Sequence, residues 1–403
     1  MDASRPERYD QGMSSPEPVS SPEPPRAEKV TTAGPPEAEA GGTLTIDLSA
    51  IEANWRALAR RAMPAECAAV IKADGYGCGI EPVAAILARA GCRTFFVADL
   101  FEARRVRAVA AEPAIYVLNG LMPGAAAIFA EIHARPVIGS MIELAEWDAF
   151  VSSSNWRGGC ALHVDTDMNR LGISAGEAAA VAPRIRSENH GVALLMSHLA
   201  CAEIGNHPLN EKQIKLFREV RILYRGIPSS IANSSGIFLG DAAHCDMVRP
   251  GAALFGVNPT PGRNNPMRPV IDLRGRIVAI RNVQRNETVG YNAVWTAKRA
   301  SRLAIVAVGY ADGYLRAASA SDAAAGGDVI IAGKRCPLAG RVSMDLLAVD
   351  ISDLPENAVR RGGMATLIGD EITVDDLAAT AGTIGYEVLT SLGRRYHRAY
   401  RVS

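Results

Sequence analysis

Residues 66–91 read ECAAVIKADGYGCGIEPVAAILARAG, and the order of their parts decides the fold. The run ECAAVIKA has the length and apolar content of a buried strand. The glycine-rich turn ADGYGCG follows Lys72, and EPVAAILARAG then reads as an amphipathic helix. The same unit extends outward in both directions. Further strands are expected at LTIDL (44–48), TFFVADL (94–100), AIYVLN (114–119), RPVIGS (135–140), CALHVDTD (160–167), VALLMSHL (192–199), SSIANSS (229–235) and CDMVRP (245–250), with helices such as AIEANWRALARRA and NEKQIKLFREVRILYR between them. About eight strand–helix repeats within roughly 230 residues match a closed parallel (β/α)8 TIM-like barrel, an α/β fold; a doubly wound open sheet shares the rhythm.

Beyond Pro269 the helices drop out. RGRIVAIRNV, RLAIVAVGYA, DVIIAGKRCPLAG, LLAVDI and MATLIGD predict a mostly antiparallel all-β C-terminal domain, set off by the Pro/Gly-rich NPTPGRNNPMRP. The expected division is a tail over 1–42, a barrel over 43–270 and a β domain over 271–403. The tail holds eight acidic and four basic residues and eight of the 23 prolines. It cannot bury enough apolar surface to offset its ordering entropy, so disorder is expected there. It also lacks the apolar stretch of a secretory signal, which predicts a cytoplasmic protein.

Composition excludes several classes. At 403 residues, 48% hydrophobic and 21% charged, the chain is ordinary globular material, and no apolar run reaches membrane-spanning length. With 43 basic and 43 acidic residues it lacks the basic footprint of a nucleic-acid binder. Seven scattered cysteines form no C-x-x-C pair, and His244 beside Cys245 has no partner at ligand spacing, so no metal site is expected.

Only six of the basic residues are lysines, and Lys72 ends an apolar strand. In a parallel barrel that end faces the active side. A lysine partly removed from water there is usable as a nucleophile or base, whereas a snorkelling lysine is the structural alternative. Ser174 in GISAG falls past its strand and forms a capping box with Glu177, not a nucleophile elbow. His198 and His163 fit either satisfied core histidines or site residues. The turns ANSSG and VRPGAALFG, with Ser234, Arg249, Gly251 and Ala252, suit an anion after the last two barrel strands. Tyr310, in VGYADGYLR, is ordinary core unless a cation lies beside it.

Together, AVIKADGYGCG (69–79), DTDMNRLG (165–172), SHLACAE (197–203), ANSSG (232–236), VRPGAALFG (248–256), VGYADGYLR (308–316) and GRVSMDLLAV (340–349) resemble, in order, the motifs of the alanine racemase family, fold-type III enzymes of pyridoxal 5'-phosphate (PLP). The resemblance implies that Lys72 holds the cofactor as a Schiff base and acts as one base. Tyr310 of a second subunit is implied as the other, on the opposite face of the substrate. His198 and Arg249 are implied to supply the positive charge that makes a phenol usable as a base near neutrality. Arg249 is also implied to face the pyridine nitrogen. Tyr76, Ser234, Gly251 and Ala252 would hold the phosphate, and Arg170 and the Met344 amide the substrate carboxylate, with Asp345 orienting the partner-side loop.

The implied assembly is a head-to-tail homodimer, acting on L- and D-alanine and supplying D-alanine for peptidoglycan. A broad-specificity racemase, a related decarboxylase and a non-catalytic PLP carrier are the rival readings. Three positions depart from the family pattern: His163 stands where many members carry a carbamylated lysine, Asp167 where glycine is usual, and Arg394 near the place of a cofactor-side tyrosine.

Overall fold

The computed structural model describes residues 29–187 and 191–402. Seven parallel strands pair in sequence order: Ala69–Val70, Thr94–Val97, Ala114–Val117, Ala134–Ile138, Cys160–His163, Val192–Met196 and Ser229–Ser230. An eighth, Met247–Val248, closes the ring. It pairs in parallel with Glu66–Cys67, the first half of the opening strand, and the Asp246 amide donates to the Ser229 carbonyl at 3.0 Å. The (β/α)8 barrel expected from sequence is therefore present.

Alternation along each strand divides the core in two. Val70, Phe96, Tyr116, Val137, Ala161, Leu194, Met196 and Met247 fill the barrel interior, with Phe96 and Tyr116 stacked at 5.0 Å. The residues between them, such as Phe95, Ile115 and Leu195, point outward against the helices. Burying each such large side chain stabilises the fold by roughly 2–3 kcal/mol.

Two boundaries differ from expectation. LTIDL is not a barrel strand: Gly42–Asp47 lies in the nine-stranded sheet of the second domain, antiparallel to Ile271–Val283 and parallel to His397–Val402. The reason is visible in its burial, which alternates, as a sheet with one covered face requires, whereas Thr94–Val97 is buried throughout. The expected tail also ends earlier. Lys29–Ala33 pairs antiparallel with His397–Val402, because backbone groups of an exposed edge need a partner strand and not an apolar sequence. Residues 34–41 continue this attachment, with the His397 ring bonded to the Pro35 carbonyl at 2.9 Å. The expectation of disorder over 1–28 lies outside the described residues.

The β domain is thus built from both ends of the described chain, with the barrel inserted between them. Its mostly antiparallel character is as expected. The short helix Gly385–Ser391 is an addition, and it packs against the turn behind Lys72.

Candidate active site

The residues singled out in the barrel converge at the C-terminal ends of its strands. Lys72, Tyr76, His163, Arg170, His198, Ser234, Arg249, Gly251 and Ala252 all line one cleft of about 510 Å³. This is the face on which barrel chemistry is built.

Lys72 is placed by an unusual turn. Ala73, Asp74, Gly75, Tyr76 and Gly77 have φ of 55°, 56°, 63°, 51° and 79°, so the chain runs left-handed for five residues. Ala73, Asp74 and Tyr76 carry side chains there, at a strain of roughly 1–2 kcal/mol each. Partial burial lowers the Lys72 pKa, and the Arg170 guanidinium lowers it further, against an opposing pull from Glu102. The amine is more readily neutral than an ordinary lysine's.

Arg249 is buried completely, and its partners are neutral. It donates to Ser230 Oγ and the Ser197 carbonyl, both at 2.5 Å, and to His198 Nδ1 at 3.4 Å, with the Phe96 ring 5.7 Å away. Burial pulls its pKa down to about 10. His198, also deeply buried, is held well below the ordinary imidazole range by desolvation and then by Arg249. Both effects disfavour a charged His198, so the fixed positive charge in this corner is that of Arg249. An arginine can only donate, so His198 Nδ1 accepts and its proton sits on Nε2.

The turns after the last two barrel strands are equally specific. Ser234 Oγ accepts from the Gly251 amide at 3.0 Å and the Ala253 amide at 3.2 Å. A Cβ on Gly251 would be driven into the Tyr76 hydroxyl, so only glycine lets backbone and phenol approach. A buried arginine with neutral partners, a lysine of lowered pKa and a serine held by two amides in the same cleft fit a ring-bearing phosphate with an aldehyde.

Three expected residues are absent from this cleft. Tyr310 and Met344 sit together on the β domain, where the Tyr310 amide donates to the Ser343 carbonyl at 3.0 Å and the Ala311 amide to the Met344 carbonyl at 2.9 Å. Their exposures, 42% and 54%, with Leu346 at 42%, mark an uncovered apolar patch. Asp345 pairs with Arg395 at 2.8 Å, and Arg395 reaches Asp312 at 3.1 Å. Asp312 accepts from the Gly309 amide at 2.9 Å, so the chain of charges ends beside Tyr310.

The departures resolve individually. Arg394 is exposed, outside the cleft lining, and the tyrosine that reaches the cleft from this segment is Tyr386, on helix Gly385–Ser391. Sequence reading missed it for want of a signal, since nothing local in YEVLTSLG marks a side chain that faces the barrel. Asp167 has φ of 77°, which explains a preference for glycine, and its carboxylate pairs with Lys212 at 2.6 Å. Ser174 and Glu177 exchange the two bonds of a capping box. His244 bonds the Ile237 carbonyl at 2.9 Å inside the core.

Known proteins share this sequence and fold. The family description "Alanine racemase, N-terminal domain" matches residues 46–259, and "Alanine racemase, C-terminal domain" matches 270–400. A relative from Methylobacterium nodulans named alanine racemase is 52% identical over 360 residues, covering 89% of this chain and 96% of its own. Another, from Rhizobium meliloti, is 44% identical over 370 residues, covering 90% and 97%. The crystal structure of alanine racemase from Bartonella henselae with covalently bound pyridoxal phosphate superposes with a TM-score of 0.84 at 36% identity, covering 90% of this chain and 99% of that one. Both domains match, and the relatives cover about nine-tenths of the chain: the chain belongs to the alanine racemase family.

Proposed function

We propose that this protein interconverts L- and D-alanine with PLP as its cofactor, as a homodimer whose sites each draw on both subunits. The observation that carries the reading is the division of its chemistry. Lys72 and the anion cradle lie in a barrel cleft, while Tyr310 lies on an exposed face of the β domain, away from that cleft.

Lys72, Ser234, Gly251, Ala252, Tyr76 and Arg249 would hold the cofactor, which supplies the electron sink that makes the α-proton of an amino acid removable. Lys72, with its lowered pKa, takes or returns the proton on one face. Tyr310 of the partner subunit does so on the other, its oxygen receiving a hydrogen bond from His198 Nε2–H. Arg249, which does not give up its proton, would leave a ring nitrogen facing it unprotonated and the sink moderate. Arg170 and the Met344 amide of the partner subunit orient the substrate carboxylate, and Asp345, through Arg395 and Asp312, fixes the Tyr310 turn. Two bases on opposite faces suit inversion of a stereocentre; a non-catalytic carrier has no use for the second.

The proposed setting is the cytoplasm, with D-alanine passed to peptidoglycan synthesis. Among the described residues no helix is long and apolar enough to cross a membrane. The test is incubation of the PLP-loaded protein with L-alanine in deuterated water. Appearance of D-alanine carrying deuterium at Cα, with the carboxylate retained, is expected. Loss of carbon dioxide, or equal rates on alanine and lysine, contradicts the assignment.

A further inference from the structure

We propose that Glu102 and Arg105, on helix Leu100–Val109, are positioning residues that lock the left-handed turn behind Lys72 and so fix where its amine points. The inference rests on the Schiff-base role assigned to Lys72 above.

Glu102 is buried, at 8% exposure, and each of its carboxylate oxygens has one backbone donor. Oε1 accepts from the Asp74 amide at 3.0 Å, and Oε2 from the Ala98 amide at 2.8 Å. Asp74 lies in the turn after the first barrel strand, and Ala98 immediately follows the second, Thr94–Val97. One carboxylate therefore ties together the active-face ends of two neighbouring strands.

Arg105 holds the same residue from the other side. Its guanidinium pairs with Asp74 Oδ1 at 2.7 Å and makes a two-pronged contact with Glu81, at 2.5 and 2.6 Å, at the start of the next helix. Asp74 Oδ1 also accepts from the Ile80 amide at 3.2 Å. Asp74 is thus fixed by its amide through Glu102 and by its side chain through Arg105.

A turn with side-chain-bearing residues at positive φ keeps that shape only when its surroundings over-determine it. Lys72 immediately precedes the turn, so relaxation of Asp74 redirects the lysine. Both groups on Glu102 are donors, so a carboxylate fits and a carboxamide does not: its nitrogen would face an N–H. Glu102 also acts electrostatically on Lys72, opposing Arg170. Asp74, Glu102 and Arg105 all lie outside the lining of the cleft.

The test compares two ligands on the full-length protein. PLP can bond to Lys72; pyridoxine 5'-phosphate has the same phosphate and ring but no aldehyde. For Glu102→Gln, affinity for pyridoxine 5'-phosphate is expected to stay within about twofold, while PLP attachment, read from visible absorbance, weakens about tenfold or more. The kcat on alanine falls about 10- to 100-fold with KM little changed, and Glu102→Asp recovers part of the loss. Arg105→Lys, a milder change at a partly exposed side chain, shows the same pattern more weakly and carries the test where Glu102→Gln does not fold. Unchanged PLP attachment, or equal weakening of both ligands as a general structural defect gives, overturns the proposal. An unsubstituted chain that forms no bond to PLP overturns the Lys72 assignment itself, and the proposal with it.

Discussion

His163 ends the fifth barrel strand at 8% exposure, in the cleft that also holds Arg170 and Arg249. Burial and the two guanidiniums pull its pKa from 6.5 to about 4, so near neutrality the ring is uncharged. It cannot stand in for an anion beside Arg170. A base whose pKa is depressed by folding is protonated first in the unfolded chain as pH falls. The stability it contributes is full above about 6.5 and is lost progressively toward about 4. His163→Gln removes that titration, so the drop in unfolding free energy between about pH 7 and about pH 5 should shrink by about 2 kcal/mol, measured by denaturant melts at both pH values. An unchanged drop means that the ring is not held neutral. Lys72 was legible in sequence because a lysine closing an apolar strand before a glycine-rich turn is locally conspicuous. The lowered basicity of His198 was not, because it comes from burial that no local pattern reports and from Arg249, 51 residues away.

The turn after Lys72 shows how one element depends on another. Gly77 has φ of 79°, and a Cβ there would be driven into the Leu389 carbonyl of helix Gly385–Ser391; its own carbonyl accepts from Arg398 at 2.7 Å. Gly77→Ala combines backbone strain with overpacking and should destabilise the protein by about 2–4 kcal/mol, read from its denaturant midpoint, and weaken PLP attachment. An unchanged midpoint contradicts this docking. The glycines could be seen in the sequence, but the helix they make room for, Gly385–Ser391, lies more than 300 residues on. Strand rhythm identified the barrel, because most of its strands are apolar and buried on both faces. The same rhythm misplaced LTIDL, whose alternate residues are only half buried and which the β sheet claims. Lys29–Ala33 escaped detection for the converse reason, since edge pairing leaves little trace in side chains.

Across the whole molecule, the β domain grips the barrel from both ends of the described chain and presents Tyr310, Met344 and Leu346 outward. A single chain holds Lys72 in its cleft and Tyr310 on an exposed surface, and this separation is the strongest reason to expect a shared site. Tyr310→Phe should leave PLP bound, with its visible absorbance intact, while slowing turnover of L-alanine by about 100-fold or more; near-normal turnover removes the phenol as a base. Lys72→Ala should abolish that absorbance altogether. The most direct test combines the two variants. Each alone is expected to be nearly inactive, but after mixing, dissociation and reassociation, half the dimers are hybrids with one intact site, restoring about a quarter of the unsubstituted activity. A mixture no more active than its parts contradicts the account, because it means that Lys72 and Tyr310 do not meet across two subunits.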